Sequence, residues 1–460
     1  MYDIIIVGGG PGGYVAAERA GARGLKVLLI EKEFLGGTCL NWGCIPTKTL
    51  LNSAKTYAHA LHGERFGLHA EKVSMNWAEA LAWKAEVVTK LRGGVAFLMK
   101  KFGVEVVNGT AELVDRNTVR TVEGQTYQGR NLIIATGSSP AMPPLPGTKD
   151  NPKVVSSTSL LDLKEVPNRL VVIGGGVIGV EFASLFATLG SKVTVVEMMD
   201  EIIPFMDKEQ APQFRKALSS VPHSGLLDAN IDFQLGCKVE KLEGGTVQYT
   251  GKDGAKSVTG DVVLMAVGRT LNVKGLGLEA LGVDFGPKGI VVNEYQQTNL
   301  PGVYAVGDVT GRSLLAHSAS RMGEVAVSAI IDEPHKRQRM RYHAIPWVVY
   351  SNPEAAGVGL TEDEAKKQGK NVVTATVALR NMGRYLAENG PTGPGATKVI
   401  VDKDTDRILG IHMYGAGVGE MIWGGAALIE LELRVHEARE LIFPHPTTGE
   451  SIRDALWELH

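Results

Sequence analysis

The stretch "YDIIIVGGGPGGYVAAERAGARGLKVLLIEK" (residues 2–32) decides the fold class. It opens with an apolar run of strand length, passes through a glycine-rich turn into a helical stretch, and ends in a second apolar run. Gly8, Gly10 and Gly13 satisfy G-x-G-x-x-G. In that spacing the first glycine permits a tight turn and the second lets the backbone approach a pyrophosphate. The third lets the helix pack closely on the strand. The phosphates would meet free N–H groups and the positive dipole end of the helix. Glu31 closes the second run at the position expected to bond a ribose hydroxyl.

The unit then recurs. "NRLVVIGGGVIGVEFASLFATLGSKVTVVEM" (168–198) repeats it with Gly174, Gly176, Gly179 and Glu197, each 166 residues after its counterpart. Each copy is followed by a further strand-like run ending in glycine, "NLIIATG" at 131–137 and "DVVLMAVGR" at 261–269. Two dinucleotide sites in one chain imply an electron relay between them. The second site should prefer NAD to NADP. "EMMDE" (197–201) surrounds the ribose position with Glu197, Asp200 and Glu201, with no neighbouring Arg or Lys to receive a 2′-phosphate.

Bulk properties narrow the class. At 460 residues the chain is too long for one core and should form two to four domains. Its 44% apolar and 21% charged residues are those of a folded globular protein. A net charge of −2 gives no electrostatic footprint for nucleic acid. "MIWGGAALI" (421–429) is too short to span a bilayer and reads as a buried helix. The chain enters a strand almost at Met1, leaving no room for a signal peptide, so the expected compartment is the cytoplasm.

Two of the three cysteines, Cys39 and Cys44, sit together in "GGTCLNWGCIPTK" (36–48). A metal site, a structural disulfide and a redox-cycling pair are the competing readings. Zinc usually needs a second ligand pair, and the nearest histidine, His59, lies fifteen residues beyond Cys44. A permanent disulfide suits a secreted chain better than this one. A redox pair is favoured by Pro46, which suits the first turn of a helix whose N-terminus would stabilise a thiolate, and by the charge of Lys48. The third cysteine, Cys237, reads as a small buried hydrophobe on a strand. The basic run "HKRQRMR" (335–341) reads as a solvated linker, with a docking patch as the sharper alternative, and the tail "LWELH" could help dimer packing.

"GGTCLNWGCIPTK" resembles the redox-active disulfide signature of the FAD-dependent pyridine nucleotide–disulfide oxidoreductases, and further matches follow in family order. "TNLPGVYAVGDV" (298–309) resembles the second FAD motif, and "LLAHSASRMGEVA" (314–326) the flavin-contacting helix, although the usual glutamate falls at Met322. "IPWVVYSNPEAAGVGLTEDEA" (345–365) resembles the start of the dimerisation domain, and "FPHPTTGE" (443–450) the His-Pro-Thr segment. In that last segment Phe443 and Gly449 depart from the usual histidine and serine, while His445 and Glu450 keep their spacing.

The resemblance implies an α/β fold with two Rossmann-like dinucleotide-binding domains, for FAD and NAD, and a C-terminal α+β dimerisation domain. The expected divisions are 1–146 for FAD and 147–273 for NAD. Residues 274–342 would complete the FAD site, and 343–460 would form the interface. The linker "PAMPPLPG" (140–147) marks the first crossing. Cys39 would exchange disulfides with substrate and Cys44 would lie against the flavin, both with depressed pKa values. His445 would be the base and Glu450 its orienting partner. His445 would serve the disulfide of the other subunit, which implies a homodimer. Lys48 and Glu181 correspond to a family ion pair beside the flavin. The implied FAD contacts are Gly8, Gly10, Gly13, Glu31, Gly37, Thr38, Lys48, Ala111, Thr136, Gly137, Asp308, Ala316 and His317. Those for NAD are Gly174, Gly176, Gly179, Glu197, Val239, Gly268 and Arg269. No metal is implied.

Within the family, the wording of the cysteine segment points to the branch that reoxidises protein-bound dihydrolipoamide. Its partner would be the lipoylated acyltransferase of a 2-oxo acid dehydrogenase complex or a lipoyl carrier protein. A glutathione or mercuric reductase is the enzymatic alternative, opposed by the acidic "EMMDE" and by the lack of a terminal cysteine pair. A redox-silent assembly subunit is the alternative from another class, opposed by the intact Cys39, Cys44, His445 and Glu450.

Overall fold

A computed structural model describes residues 1–220 and 231–459, so His460 of the C-terminal tail lies outside the described residues. The chain divides into two compact units. The first comprises Met1–Thr49, Leu81–Ala141 and Arg269–Arg341, and the second Leu50–Ala80, Met142–Gly268 and Tyr342–His460.

The first unit is built on a parallel sheet. Its strands run in the order Glu105–Asn108, Val27–Glu31, Tyr2–Val7 and Thr126–Ile134. Val303–Ala305 joins the far side of Thr126–Ile134, so the chain returns to the first sheet after a long excursion. Ile4, Ile5 and Ile6 are all fully buried, as strands covered on both faces require. The strand Thr126–Ile134 also pairs antiparallel, at its start, with Thr118–Thr121, which pairs with Ala111–Asp115. The helices Pro11–Ala22 and Ala316–Ile331 cross closely because their contact is made of small residues: a Cβ on Gly323 would stand 2.5 Å from the Gly12 carbonyl oxygen.

The second unit repeats the parallel design. Its order is Ile231–Gln234, Lys192–Val196, Arg169–Ile173, Val262–Met265 and Val154–Ser156. A three-stranded antiparallel ribbon, Lys238–Glu243, Thr246–Gly251 and Gly254–Thr259, lies between its last two strands in sequence. The unit also carries a five-stranded antiparallel sheet, in the order Trp347–Val349, Glu354–Gly359, Arg407–Gly415, Ala396–Asp402 and Val372–Ala378. Helices Val418–Glu430 and Glu450–Trp457 share a core with this sheet that includes Val358, Val399, Ile411, Met413, Ile422 and Leu456.

Some local expectations change. Cys237 is buried as expected, but it lies in the connection just before Lys238–Glu243 rather than on a strand. The helix containing "MIWGGAALI" buries only one face: Ile422, Gly425, Leu428 and Ile429 point inward while Trp423 is 72% exposed. The basic run at 335–341 keeps its charged residues at the surface, but Met340 is buried and donates its N–H to the Glu294 carbonyl at 2.9 Å. Among the described residues no helix is long and apolar enough to cross a membrane.

Two glycine substitutions should act in opposite directions. A Cβ on Gly13 would stand 1.8 Å from the Gly8 carbonyl oxygen, so Gly13→Ala must push the first helix off its strand. The expected loss is about 1–3 kcal/mol, read as a lower urea midpoint with unchanged slope. Gly93 lies inside the helix Trp77–Lys101 and a Cβ there would meet nothing within 4 Å. Gly93→Ala should raise the midpoint, by about 0.5–1 kcal/mol of helix stability.

Candidate functional site

Both glycine turns fold as strand, turn and helix. Gly8 and Gly174 take φ of +107° and +108°, the left-handed region open to glycine, and a Cβ on either would strike the carbonyl of Ala135 or Ala266. The helices Pro11–Ala22 and Val177–Thr188 begin at Gly10 and Gly176, neither of which is capped by a side chain. A Cβ on Gly176 would meet nothing within 4 Å, and one on Gly10 only the Gly37 Cα at 3.8 Å. The space beside these uncapped helix ends therefore suits an anion that approaches the backbone. Glu31 and Glu197 stand at or just after the second strand of each copy. Each carboxylate accepts the middle glycine's N–H, Gly9 to Glu31 at 2.6 Å and Gly175 to Glu197. A carboxylate has four lone-pair sites, so capacity remains for ribose hydroxyls. These residues fit two dinucleotides.

The surroundings of Glu197 differ from expectation. The fold brings Arg215 to Glu201 (Nε to Oε1, 2.8 Å) and Lys252 to within 3.7 Å of Asp200. Two cations that lie outside the local run "EMMDE" thus stand beside its acids, against the expectation of no neighbouring Arg or Lys. Asp200 and Lys252 are both largely exposed, where solvent screens such a pair. Glu197, by contrast, is buried, and its carboxylate keeps its charge away from that screening.

The cysteine segment is fastened to the first turn. Gly36 donates its N–H to the Gly9 carbonyl at 2.8 Å while holding φ +100°, and a Cβ on Gly37 would stand 2.6 Å from the Gly10 Cα. From this anchor the chain forms the short helix Gly37–Trp42, which carries Thr38 and Cys39, and then the helix Cys44–Leu61. Cys44 is the first residue of that longer helix and Pro46 lies in its first turn, so the dipole favours a thiolate at Cys44. The two thiols are close enough to share a hydrogen bond. That bond first, and burial second, push the Cys39 thiol well above its ordinary range, against the opposing charge of Lys48. The expectation that both thiols are depressed is corrected at Cys39, since two adjacent sulfurs in one half-buried site cannot both carry charge cheaply.

Residues with no motif of their own brace this segment. Asn41 donates to the carbonyls of Leu35 and Gly37 and accepts from Arg92 Nε at 3.0 Å. The Arg92 guanidinium also lies over the Phe34 ring, 3.8 Å from its centroid, and Phe34 meets Trp42 edge to face. Nothing in the spacing of the sequence marks Arg92.

All thirteen residues expected at FAD lie in the first unit. Asp308 is bonded by Ser138 Oγ, and Arg269 donates to Ser138 Oγ at 2.6 Å and to the Ser138 carbonyl at 2.7 Å. Arg269, expected with the NAD set, thus joins Ser138, Asp308 and Thr38, the last at 3.4 Å from its Nη2. Thr136 Oγ1 donates to the Asn272 carbonyl at 2.8 Å and Gly137 takes φ +69°. Ala111 opens a strand, and Ala316 opens the helix Ala316–Ile331, with His317 next to it and exposed. Met322, in place of the usual glutamate, is fully buried, and its sulfur accepts the Gly307 N–H at 3.2 Å. In the second unit Val239 lies on Lys238–Glu243, and Gly268 holds φ +118°. Glu181 is buried and accepts the Tyr350 N–H at 2.9 Å, which removes the reading of an ordinary surface acid.

His445 and Glu450 form a hydrogen-bonded pair in the second unit. His445 Nδ1 lies 3.1 Å from both Glu450 oxygens, so the contact to the carboxylate is made through Nδ1 and not through Nε2. The histidine side chain is 78% exposed and that of the glutamate 7%. The Thr447 N–H (3.0 Å) and His445 hold the Glu450 carboxyl below the usual carboxylate range, and Arg453 adds charge at 3.2 Å. Phe443 packs against the core of the antiparallel sheet. Next to it Ile442 is 97% exposed, and Leu431, Leu441 and Trp457 also present apolar surface.

Comparison with known proteins agrees with this geometry. The family described as pyridine nucleotide-disulphide oxidoreductase matches residues 2–323, and its dimerisation domain matches 345–456. A dihydrolipoyl dehydrogenase of Bacillus subtilis is 40% identical over 457 residues, covering 98% of this chain and 95% of its own. One from Thermus scotoductus is 41% identical over 463 residues, covering 100% and 97%. The solved Cu(II) complex of the HOCl-induced flavoprotein disulfide reductase RclA from Escherichia coli superposes with a TM-score of 0.85 at 30% identity, covering 99% of each chain. The dimerisation domain supports a homodimer. The chain belongs to the pyridine nucleotide–disulphide oxidoreductase family, and its cofactors are FAD and NAD.

Proposed function

We propose that the chain is a dihydrolipoyl dehydrogenase, oxidising protein-bound dihydrolipoamide with NAD⁺ as final acceptor. The observation that carries the reading is the hydrogen-bonded Cys39–Cys44 pair, set at a helix N-terminus and fastened by Gly36 and Gly37 to the first dinucleotide turn. Similarity along nearly the whole length to dihydrolipoyl dehydrogenases, at 40% and 41% identity, supports the substrate class.

In the oxidised enzyme Cys39 and Cys44 are joined by a disulfide. A substrate thiolate attacks the Cys39 sulfur, forming a mixed disulfide and releasing Cys44 as a thiolate at the helix N-terminus, next to the charge of Lys48. The second substrate thiol then attacks the first substrate sulfur, closing the lipoamide ring and releasing Cys39. His445 takes the proton from the attacking thiol through Nε2, while Glu450 fixes the ring through Nδ1. The proton of the second substrate thiol passes to the departing Cys39 sulfur, so the reduced pair carries one thiolate, at Cys44. Bound FAD and NAD⁺ supply the two-electron acceptor capacity that returns the pair to the disulfide. Glu31, Asp308 and the first turn hold FAD on this reading, and Glu197 and the second turn hold NAD.

The partner is a lipoylated acyltransferase or lipoyl carrier protein, and the compartment is the cytoplasm. The chain is organised as four domains, spanning 1–146, 147–273, 274–342 and 343–460. His445 serves the disulfide of the other subunit. The exposed Ile442, next to Phe443 and the His-Pro-Thr segment, supports a partner covering that surface.

Mixing the FAD-loaded dimer with dihydrolipoamide and NAD⁺ should produce NADH absorbance, and its absence would overturn the function. Cys39→Ser should abolish this turnover, and a normal rate would reverse the roles given to the two thiols. His445→Gln should lower kcat by about 10²–10⁴. NADH should be used in the reverse reaction in clear preference to NADPH, with comparable kcat/KM values contradicting the role of Glu197. The lowered pKa of Glu450 also has a definite sign. Its contribution to stability is present above the ordinary glutamate range and is lost as pH falls through its folded value, so Glu450→Gln should flatten the acid limb of stability measured by thermal melting.

A further inference from the structure

The second dinucleotide turn is gripped by the loop that follows its second strand. Residues 197–207 reach the Gly175 peptide from both sides. The Glu197 carboxylate accepts its N–H, and the Ile203 N–H donates to its carbonyl at 3.0 Å. The Ile202 side chain closes over the same glycine, where a Cβ would meet its Cγ2 at 3.0 Å. Ile203 is fully buried and takes φ +47°, a left-handed conformation that a β-branched residue adopts only when its surroundings impose it. The Met206 N–H closes onto the Ile203 carbonyl at 2.8 Å. The first turn has the same grip: Glu31 takes the Gly9 N–H and Gly36 donates to the Gly9 carbonyl, with φ +100° at Gly36. There a glycine adopts the positive φ freely. At Ile203 the conformation has to be held.

The holding contacts lie at the far end of the loop. Asp207 is buried, and its Oδ1 meets Lys398 Nζ at 3.0 Å and accepts the Glu209 N–H at 3.1 Å. Its Oδ2 accepts the Glu362 N–H at 3.1 Å. Lys398 is fully buried on Ala396–Asp402 and also meets Glu209 at 2.7 Å and Glu362 at 2.6 Å. A buried cation with three carboxylates is a poor source of net stability, because desolvation offsets much of the attraction, but it admits few alternative arrangements. Glu362 opens the helix Glu362–Lys367, and Thr361 caps it with a complete capping box, so this side of the cluster is itself rigid.

We propose that Lys398 and Asp207 are positioning residues for the pyridine nucleotide: the buried cluster pins the end of the 197–207 loop, keeps Ile203 left-handed, and thereby holds Gly175 and Glu197 in the geometry that receives the dinucleotide. This rests on the reading that the second turn takes NAD. The thiols, His445 and the first turn lie outside the cluster.

The test titrates NAD⁺ calorimetrically into the FAD-loaded dimer and follows amide hydrogen exchange across 197–207 in the same protein. Lys398→Met should weaken NAD⁺ binding about tenfold and speed exchange in the loop, while flavin content and the number of titratable thiols stay at the wild-type level. A variant that melts earlier but binds NAD⁺ with unchanged affinity would make the cluster a stability device and overturn the proposal. If Lys398→Met does not fold, Glu362→Gln decides: it keeps the Asp207–Lys398 pair, and about threefold weaker binding supports the proposal while unchanged binding overturns it. Failure of the wild-type dimer to bind NAD⁺ would overturn the reading of the second turn itself, an outcome separate from the others.

Discussion

The Gly9 peptide has both of its polar groups committed, its N–H to the Glu31 carboxylate and its carbonyl to the Gly36 N–H. These two bonds join three separate pieces of chain: the first turn, the end of the second strand, and the start of the cysteine segment. The bond to Glu31 is charge-assisted and therefore stronger than a neutral one, and a buried peptide that lost either partner would carry the desolvation cost of an unmade bond. Once they form, the close approach of Gly37 to Gly10 follows, and the cysteine helices start from a fixed point on the dinucleotide site. A redox pair that must deliver electrons to a bound dinucleotide needs such a fixed start, and one side-chain and one backbone bond to a single peptide supply it.

Backbone constraints of this kind were the most legible feature of the sequence. Gly8, Gly13, Gly174 and Gly179 can be read in advance because positive φ and close approach leave no other residue type in those places. The cysteine and His-Pro-Thr segments were legible for a chemical reason: few jobs need two thiols at a helix start, or an imidazole with a carboxylate five residues on. What could not be read was what distant sequence brings near. Arg215 and Lys252 approach the acidic loop from a helix and a ribbon turn, so the local run "EMMDE" overstated its negative charge. Trp423 sits in a run that looks buried throughout, because a short apolar string does not reveal which face of its helix the core will cover.

The Cys39 thiol illustrates a different limit. A helix N-terminus and a lysine both argue for depressed thiols, and each argument holds for one sulfur taken alone. Coupling between the two sulfurs reverses the sign at Cys39, since a proton shared with Cys44 is held more tightly than one facing water. Arg92 was missed for a related reason. It acts through Asn41 and the Phe34 ring, and only the packing of the long helix against the cysteine segment brings it to the site.

The two dinucleotide units also show how one scaffold diverges without changing its backbone plan. Both grip the middle glycine of the turn from two sides, and both pass through a positive φ at the residue that donates to its carbonyl. In the first unit that residue is Gly36, and the chain goes directly into Thr38 and Cys39, so the rigid point carries reactive chemistry. In the second it is Ile203, and the chain goes instead into Asp207 and the buried Lys398 cluster. Glycine needs no external support to hold the conformation, which frees the following residues for catalysis. Isoleucine needs that support, and residues that in the first copy could be reactive are here committed to anchoring. Both copies thus grip the middle glycine in the same way, and they differ in what the chain carries beyond that point: Thr38 and Cys39 after Gly36, Asp207 with Lys398 after Ile203.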